Sequence, residues 1–224
     1  MIRLELESTL GTPTGLLFSE ITGHPPRVGV VSGVDAADEI EVRLAGKPLL
    51  KGAIWRTRTP RKYRVQSLPA WRRMVGPQGF SDVTAATVLR WIANTCGGEA
   101  RIAYDTNIRR HYQLARQPAL QAVRAVVAAW GLLDGVHELD GGGLYIGPPN
   151  KSPHWTVTHQ VGPEVLAVRR SSLVTLICAP LPELRVGHRL EIDHPEYQGR
   201  VRVVEHILYL EPNRAEHHIY GSPL

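Results

Sequence analysis

The sequence of 224 residues contains only two cysteines, and it has no apolar run near the ~20 residues that a membrane-spanning helix needs. Its first residues alternate apolar with charged side chains and lack the apolar centre of a signal peptide. Cys96 and Cys178 match no metal-binding spacing, so we expect two buried thiols in a reducing cytoplasm, with a disulfide between them as the alternative. We therefore expect no conventional export and no membrane partner.

Recognisable enzyme motifs are also missing: the sequence has no Gly-x-Ser-x-Gly elbow, no His-Glu-x-x-His and no Gly-Lys-Ser/Thr phosphate loop. A pair of carboxylates that cleaves a sugar would need no sequence motif, because its spacing is set by the tertiary structure. The candidates for such a pair are Asp82, Asp105, Asp134, Glu191 and Asp193. We expect that the protein is not an enzyme and has no cofactor, and a small cell-wall hydrolase stays an alternative.

Histidine is concentrated in the last third of the chain, at His188, His194, His206, His217 and His218. A zinc or iron site needs three or four converging ligands, whereas the adjacent His217 and His218 point to opposite faces of a strand. We expect His206 to be packed inside an apolar strand and the other histidines to lie on the surface. No metal site is predicted.

The net charge is +5. The positive charge is unevenly distributed, since residues 51–81 contain eight basic side chains and no acidic one. This segment is either a solvated face or a surface that meets nucleic acid, a channel or an acidic partner. Strand alternation cannot place all its cations on one face, so we expect a subset such as Arg56, Arg58 and Arg64 to act together. The candidate partner-facing residues are Arg56, Arg58, Arg61, Lys62 and Arg64.

The first third of the chain shows the period-two alternation of half-buried β-strands. Strands are predicted at residues 2–6, 28–31, 40–44 and 63–65, with a hairpin turn at residues 45–48. Short strands separated by glycine and proline are typical of a small barrel or sandwich.

After a Gly-Pro break the apolar period changes to that of a helix. One predicted helix is capped by Ser81 or Asp82 and ends at Gly97. A second is predicted over residues 118–130, and a glycine-rich hairpin over residues 132–146 follows it. Five side chains of the helices are expected to be buried: Leu89, Ile92, Val123, Val127 and Trp130.

The last third is again rich in predicted strands, which lie at residues 155–159, 172–179, 189–192, 201–210 and 215–220. The predicted fold class is therefore α+β, mainly β. Two small β-barrel-like domains, residues 1–78 and 149–224, flank a short α+β insert at residues 79–148. We expect the two outer domains to resemble each other and to pack side by side.

Four segments, in this order and spacing, are similar to a known family. Leu120 to Leu132 is a predicted helix that ends in Trp-Gly-Leu, and Asp140 to Gly147 is an acidic, glycine-rich hairpin. Pro182 to Ile192 and Gly199 to His206 then form a strand, a turn and a strand. The series resembles the baseplate hub family of phage tails, which includes late control protein D and the base of type VI secretion spike proteins. The likeness covers most of the chain and is strongest after residue 80.

The resemblance implies a structural protein of the tail baseplate in the virion, assembled in the host cytoplasm, and it carries over no catalytic residue. The implied partners are further copies in a homotrimeric ring, the tail tube protein, the central spike or tip protein and other baseplate proteins. Such a ring would join a sixfold tube to a threefold spike, and transient contact with genomic DNA stays open. Strand edges at Ile2–Leu6 and Val201–Leu210 are candidates for pairing between copies. The alternatives are a nucleic-acid-binding module that uses residues 56–64 and a tail-associated cell-wall hydrolase.

Overall fold

The computed structural model describes residues 5–21, 25–35, 38–104, 107–132, 135–140 and 142–224. Within these ranges the chain forms two compact units. One unit combines the described residues up to Ser67 with residues Pro153–Leu224, and the other contains the described part of Leu68–Ser152. The chain is mainly β with two α-helices, which confirms the predicted α+β class.

The first unit is one curled sheet of 12 strands, and each end of the chain supplies six of them. The N-terminal segment contains β1 (Leu6–Ser8), β2 (Gly15–Ile21), β3 (Val28–Ser32), β4 (Glu39–Leu44), β5 (Lys47–Arg56) and β6 (Lys62–Gln66). The C-terminal segment contains β14 (Thr158–Val161), β15 (Val165–Arg170), β16 (Val174–Cys178), β17 (Arg189–His194), β18 (Tyr197–Glu211) and β19 (Arg214–Pro223). The predicted strands at residues 28–31, 40–44 and 63–65 are confirmed, whereas β2 and β15 were not predicted.

The two segments repeat one strand order. The sheet runs β1-β4-β5-β6-β3-β2-β18-β19-β16-β15, with β17 on the free side of β18 and β14 beside β17. If the six strands of each segment are numbered 1 to 6 along the chain, the N-terminal segment has the spatial order 1-4-5-6-3-2 from β1 to β2. The C-terminal segment has the same order, 1-4-5-6-3-2, from β14 to β15. The pairing differs only where β1 lies antiparallel to β4 while β14 lies parallel to β17. The expected likeness of the two outer segments is thus met in their strand order.

Each half of the sheet has its own apolar core. One core is centred on inward side chains such as Phe18, Val42 and Val65, and it takes Leu208 from the C-terminal segment. The other core lies entirely within the C-terminal segment and contains Leu176 and Ile219, among others. Alternating burial along the strands produces this pattern, as in β4, where every second side chain is buried.

Strand β18 joins the two halves because it pairs on both sides. One side pairs with β19, and the other pairs first with β17 and then with β2. Its residues Val201–Leu210 are therefore central in the sheet, and their predicted role as an open edge is wrong. Strand β1 does lie at an edge of the sheet, while Ile2 and Leu4 of the predicted first strand fall outside the described residues.

The second unit packs two helices against short strands. Its helices are α1 (Ala85–Cys96) and α2 (Ala119–Ala129). Its strands are β7 (Met74–Val75), β8 (Gln78–Val83), β9 (Ala100–Ile102), β10 (Arg109–Leu114), β11 (Gln117–Pro118), β12 (Val136–Glu138) and β13 (Leu144–Ile146). Strands β8 and β10 pair, β7 and β11 pair, and β13 lies between β12 and β9. The hairpin of β12 and β13 was predicted, although its tip residue Gly141 lies outside the described residues.

The N-cap of α1 differs from the predicted one. The Thr84 side chain accepts a hydrogen bond from the Thr87 amide (3.3 Å), so Thr84 is the cap, while Ser81 and Asp82 belong to β8. Gly97 ends the helix with a positive φ of 71°, as predicted.

Four of the five predicted core residues of this unit, Leu89, Ile92, Val123 and Val127, are buried. The fifth, Trp130, is only half-buried, and its indole N–H donates to the Asn107 carbonyl (3.0 Å). The fully buried tryptophan is Trp71.

The predicted domain boundaries lie close to the limits of these units but do not coincide with them. Residues 68–78, assigned to the first domain, belong to the second unit, which continues to Ser152. The outer segments share one sheet but have two cores, so their description as separate domains stays a prediction. No helix in the described ranges is long and apolar enough to cross a membrane.

Candidate interaction surface and buried polar junction

The basic segment predicted to face a partner forms the tip of the hairpin between β5 and β6. Arg56 ends β5, Arg58 and Arg61 lie in the turn, and Lys62 begins β6. All five candidate cations, including Arg64, are exposed. Arg61 donates to the Gly33 carbonyl (3.1 Å). The side chains of the other four form no salt bridge with any residue that the structure describes, so their charges are available to a partner.

The register of β5 and β6 decides which cations share a face. Trp55 pairs with Arg64, and Arg56 pairs with Tyr63, whose ring is buried in the core. Cross-strand partners project from the same face of a sheet. Arg64 therefore lies on the outer face together with Lys62, whereas Arg56 lies on the inner face at the end of its strand. This register places Arg56 and Arg64 on opposite faces of the sheet, so the predicted group of Arg56, Arg58 and Arg64 does not share one face.

A buried chain of polar groups crosses from β2 to β19. The Glu20 carboxylate accepts a hydrogen bond from Arg27 (3.2 Å) and lies 3.0 Å from Nε2 of His206. Nδ1 of His206 lies 2.8 Å from Nε2 of His217, whose Nδ1 accepts the Leu181 amide (3.2 Å). These four charged or polar side chains are each at most 6% exposed. They link β2 of the N-terminal segment to β18 and β19 of the C-terminal segment.

The charges in this junction hold Glu20 ionised and His217 neutral. Burial opposes ionisation of Glu20, but the Arg27 guanidinium and the hydrogen bond from His206 outweigh it and hold the pKa of the carboxyl well below its usual range. Burial lowers the pKa of His217 well below its ordinary value, and the charge of neighbouring histidines and of Arg185 lowers it further. The junction therefore favours an ionised Glu20 carboxylate and a neutral His217 imidazole.

A second histidine cluster lies in the same unit, where Nε2 of His159 is 2.8 Å from Nδ1 of His188. The His154 ring packs edge-on against His188. Burial, together with the nearby His154, His159 and Arg185, lowers the pKa of His188 to about 3. Arg202 next to this cluster donates to the carbonyls of Trp155 and Gly187 and stacks on the Trp155 ring.

The histidine predictions are partly corrected by this geometry. His206 is packed as predicted, and His217 and His218 do point to opposite faces. The expected surface position of His188 and His217 is wrong, because both are buried. Among the described residues no group of three or more His, Cys, Asp or Glu side chains is arranged to hold a metal ion. Both cysteines are buried free thiols.

An open cleft of about 910 Å³ lies beside the turn between β14 and β15. Glu164, Glu191 and Asp193 line it, together with His194 and Arg200. Arg200 lies 2.9 Å from Glu191, and Gln198 donates to Asp193 (3.1 Å). Two predicted carboxylates, Glu191 and Asp193, are thus brought to one cleft. Asp82 is on β8, and Asp105 and Asp134 lie outside the described residues.

Sequence reasoning did not identify Glu20, Arg27 or Arg185 as members of a buried network. Only His206, a polar residue inside an apolar strand, gave a local signal. The partners of His206 come from positions such as Glu20, 186 residues away, which no sequence pattern connects.

No protein-family model matches this sequence, and no curated protein matches it. Solved structures do match its fold. The 43 kDa tail protein of prophage MuSo2 from Shewanella oneidensis superposes with a TM-score of 0.72 at 8% identity, over 98% of this chain and 96% of that chain. A tail protein from Neisseria meningitidis MC58 gives 0.66 at 9% identity, over 97% and 96%.

A component of the E. coli type VI secretion system gives a TM-score of 0.66 at 8% identity, over the whole of this chain and 75% of that chain. That protein itself exhibits structural similarity to the T4 bacteriophage tail proteins gp27 and gp5. The chain therefore has the fold of phage tail proteins.

Proposed function

We propose that this chain is a structural hub subunit in the baseplate of a phage tail or a related injection machine. The observation that carries the proposal is the likeness to the prophage MuSo2 tail protein along nearly the full length of both chains. A similar fold is found in a type VI secretion component, which supports a role common to both kinds of machine. The resemblance of the helix and hairpin at residues 120–147 to baseplate hub proteins points the same way.

Three copies would form a ring that joins a sixfold tail tube to a threefold central spike. The repeated strand order supports this stoichiometry, because each chain carries two similar half-sheets with separate cores. Three chains would then offer six similar lobes to the tube and a threefold face to the spike. The tube protein, the spike or tip protein and other baseplate proteins are the proposed partners, and the virion is the proposed location.

A structural role without catalysis is part of the proposal. Glu191 and Asp193, which share a cleft, are both engaged by neighbouring side chains. A clearing assay on peptidoglycan tests this, because a hydrolase would clear the substrate and lose that activity in the Asp193→Asn variant. The absence of clearing by the wild-type protein is the result that we expect.

The test of the tail role is quantitative mass spectrometry of purified particles. The proposal expects this chain in the particle at about three copies per tail, and tails that fail to assemble when its gene is deleted. Detection of the chain only in the unassembled fraction of the lysate would contradict the proposal.

A second candidate function is nucleic-acid binding, favoured by the exposed cations at the tip between β5 and β6. Binding through phosphates weakens steeply as salt rises. Filter binding at increasing salt would reveal it, with the Arg56→Glu, Arg58→Glu double variant as the comparison.

A further inference from the structure

We infer that two arginines on β17 and β18 form an anion site that binds one carboxylate of a partner protein. The two residues are Arg189 and Arg202, which we call the arginine pair. The site shares no residue with the basic tip between β5 and β6. The anion site is argued from this chain alone, and only the partner protein rests on the proposed tail function.

The two side chains project from one face of the sheet. Arg189 and Arg202 are cross-strand partners in an antiparallel pair, and such partners lie on the same side of a sheet. The next residues in this register, Leu190 and Val201, belong to the apolar core. Because successive residues of a strand point to opposite faces, the arginine pair lies on the face away from that core.

Hydroxyl groups flank the arginine pair on the two adjoining strands. Thr158 of β14 is in register with Arg189, and Ser222 of β19 is in register with Arg202. The alternating burial of β14 and β19 puts both hydroxyl side chains on the same face as the arginines. A row of hydrogen-bond donors therefore crosses four neighbouring strands, and it contains no carboxylate.

Neither guanidinium has a negative partner among the residues that the structure describes. Arg202 is 5% exposed, and its Nη1 donates to the carbonyls of Trp155 (2.7 Å) and Gly187 (2.8 Å). Its guanidinium carbon lies 3.9 Å from the centroid of the Trp155 ring. Nε of Arg202 and Nε of Arg189 are both buried without a hydrogen-bond partner within the described ranges.

This arrangement is unfavourable for the chain by itself. Burial of a charge costs free energy unless an opposite charge or a full set of hydrogen bonds compensates for it. Burial lowers the pKa of Arg202, and the nearby charge of Arg189 lowers it further, because both make the charged form less favourable. An anion held between the two guanidinium groups would offset their repulsion and accept their unused N–H donors.

The surroundings favour a single carboxylate over a chain of phosphates. Guanidinium groups bind both kinds of oxyanion through paired N–H bonds. Glu191 and Asp193 follow Arg189 on the same face of β17, and only Glu191 has a cation beside it in the described residues, Arg200 at 2.9 Å. A nucleic-acid strand at the arginine pair would bring further phosphates close to these carboxylates. One aspartate or glutamate side chain of a partner protein would not.

Titration of the full-length chain with sodium acetate tests the anion site. Heteronuclear NMR follows the Nε–H signals of the arginines, with sodium chloride at equal ionic strength as the reference. The signals of Arg189 and Arg202 should shift together, with half-saturation on the order of 10 mM because so small a fragment binds weakly. Arg189→Gln should abolish the response of Arg202. Arg169→Gln, the same change at an exposed arginine of β15, should leave it intact.

Thermal unfolding supplies a second measurement that does not depend on assigned signals. A ligand that binds only the folded chain raises its melting temperature. We expect about 100 mM acetate to raise the melting temperature of the wild-type chain by a few degrees relative to chloride. Arg189→Gln should remove most of this gain, and Arg169→Gln should keep it.

Particle assembly separates a partner's carboxylate from a free anion. Arg189→Glu would place a negative charge where the carboxylate of the partner binds, and like charges at an interface are strongly unfavourable. In a complementation assay we expect a loss of infectious particles of about tenfold or more. Arg169→Glu is the matched control and should assemble normally.

Three results would overturn the inference: acetate shifts no larger than those of chloride, an acetate response that survives Arg189→Gln, or a normal particle yield with Arg189→Glu. A short single-stranded DNA that shifts the arginine signals more strongly than acetate would also overturn it, by assigning the site to phosphate. The absence of the chain from purified tails would remove the proposed function, while the acetate response of the isolated chain would remain.

Discussion

At the scale of single residues, the most consequential group is Glu20, which is buried beside Arg27 and His206. Replacement of Glu20 by Gln removes the buried negative charge that faces Arg27, and breaking one side of a buried pair typically costs about 3 to 5 kcal/mol. We expect a loss of that order in the free energy of unfolding, measured in urea. Glu183→Gln, at the exposed pair with Lys47, is the matched control and should change stability little. Equal losses in the two variants would contradict the assignment.

Acid should destabilise the protein because of its buried histidines. The folded pKa of His188 is about 3, and that of His217 also lies well below the ordinary 6.5, whereas the unfolded chain binds these protons near 6.5. The unfolded state therefore binds more protons as pH falls below 6.5, and the stability that is fully present above 6.5 is progressively lost. Glu20 has a lowered folded pKa and adds to this loss only below its ordinary value of 4.5.

Urea unfolding at pH about 7.5 and about 5 measures the histidine contribution alone, because this range lies above the ordinary pKa of carboxyl groups. We expect a lower free energy of unfolding at the lower pH, and a smaller difference in His188→Gln and His217→Gln. His111→Gln, at an exposed strand position, should keep the wild-type difference. A pH dependence unchanged by both buried substitutions would refute the assignment to these imidazoles.

Burial of individual polar residues was the part of the structure least accessible from sequence. His206 stood out because its strand neighbours are apolar, and it is buried as predicted. His188 lies in a short turn, and this local position predicted a surface residue. Its burial depends on His154 and His159, which pack against it only in the folded chain. Local pattern therefore identified one member of the polar network and could not supply the tertiary partners of the rest.

At the scale of elements, the two tryptophans of the helical unit should differ in their contribution to stability. Trp71 is 1% exposed and lies against Gly98, where any added side chain would overlap its ring. Trp71→Ala should cost about 3 to 5 kcal/mol, the usual range for truncating a buried aromatic residue. Trp130 is half-buried, with Arg109 and Tyr112 against its ring, so Trp130→Ala should cost clearly less. Thermal unfolding of the two variants in parallel measures the difference, and a larger loss for Trp130→Ala would contradict it.

Strands and helices could be predicted from the sequence where one face of the element is buried and the other is exposed to solvent. Strand β4 alternates strictly, and helix α1 repeats its apolar residues every three or four positions, so both were predicted. Strand β2 was missed because apolar Leu17 and Ile21 lie on its outer face and mask the alternation. The repeated strand order was also inaccessible, since the two halves build the same order from different residues.

At the scale of the whole molecule, the basic tip should matter for assembly and not for folding. Arg56 and Arg58 are exposed and make no salt bridge with the described residues, so the Arg56→Glu, Arg58→Glu variant should keep the wild-type circular dichroism and unfolding midpoint. We expect the same variant to lower the yield of assembled, infectious particles in a complementation assay. Normal assembly and infection would show that the tip is an ordinary solvated surface.

The ring itself is the central claim, and cryo-electron microscopy of the assembled tail tests it most directly. The density should hold three copies of this chain around the tail axis, with their six half-sheets facing the tube and a threefold face toward the spike. Each interface between copies should bury at least ~2,000 Å², as permanent assemblies do. Six copies in a true sixfold ring, or a single copy on the axis, would contradict a threefold adaptor.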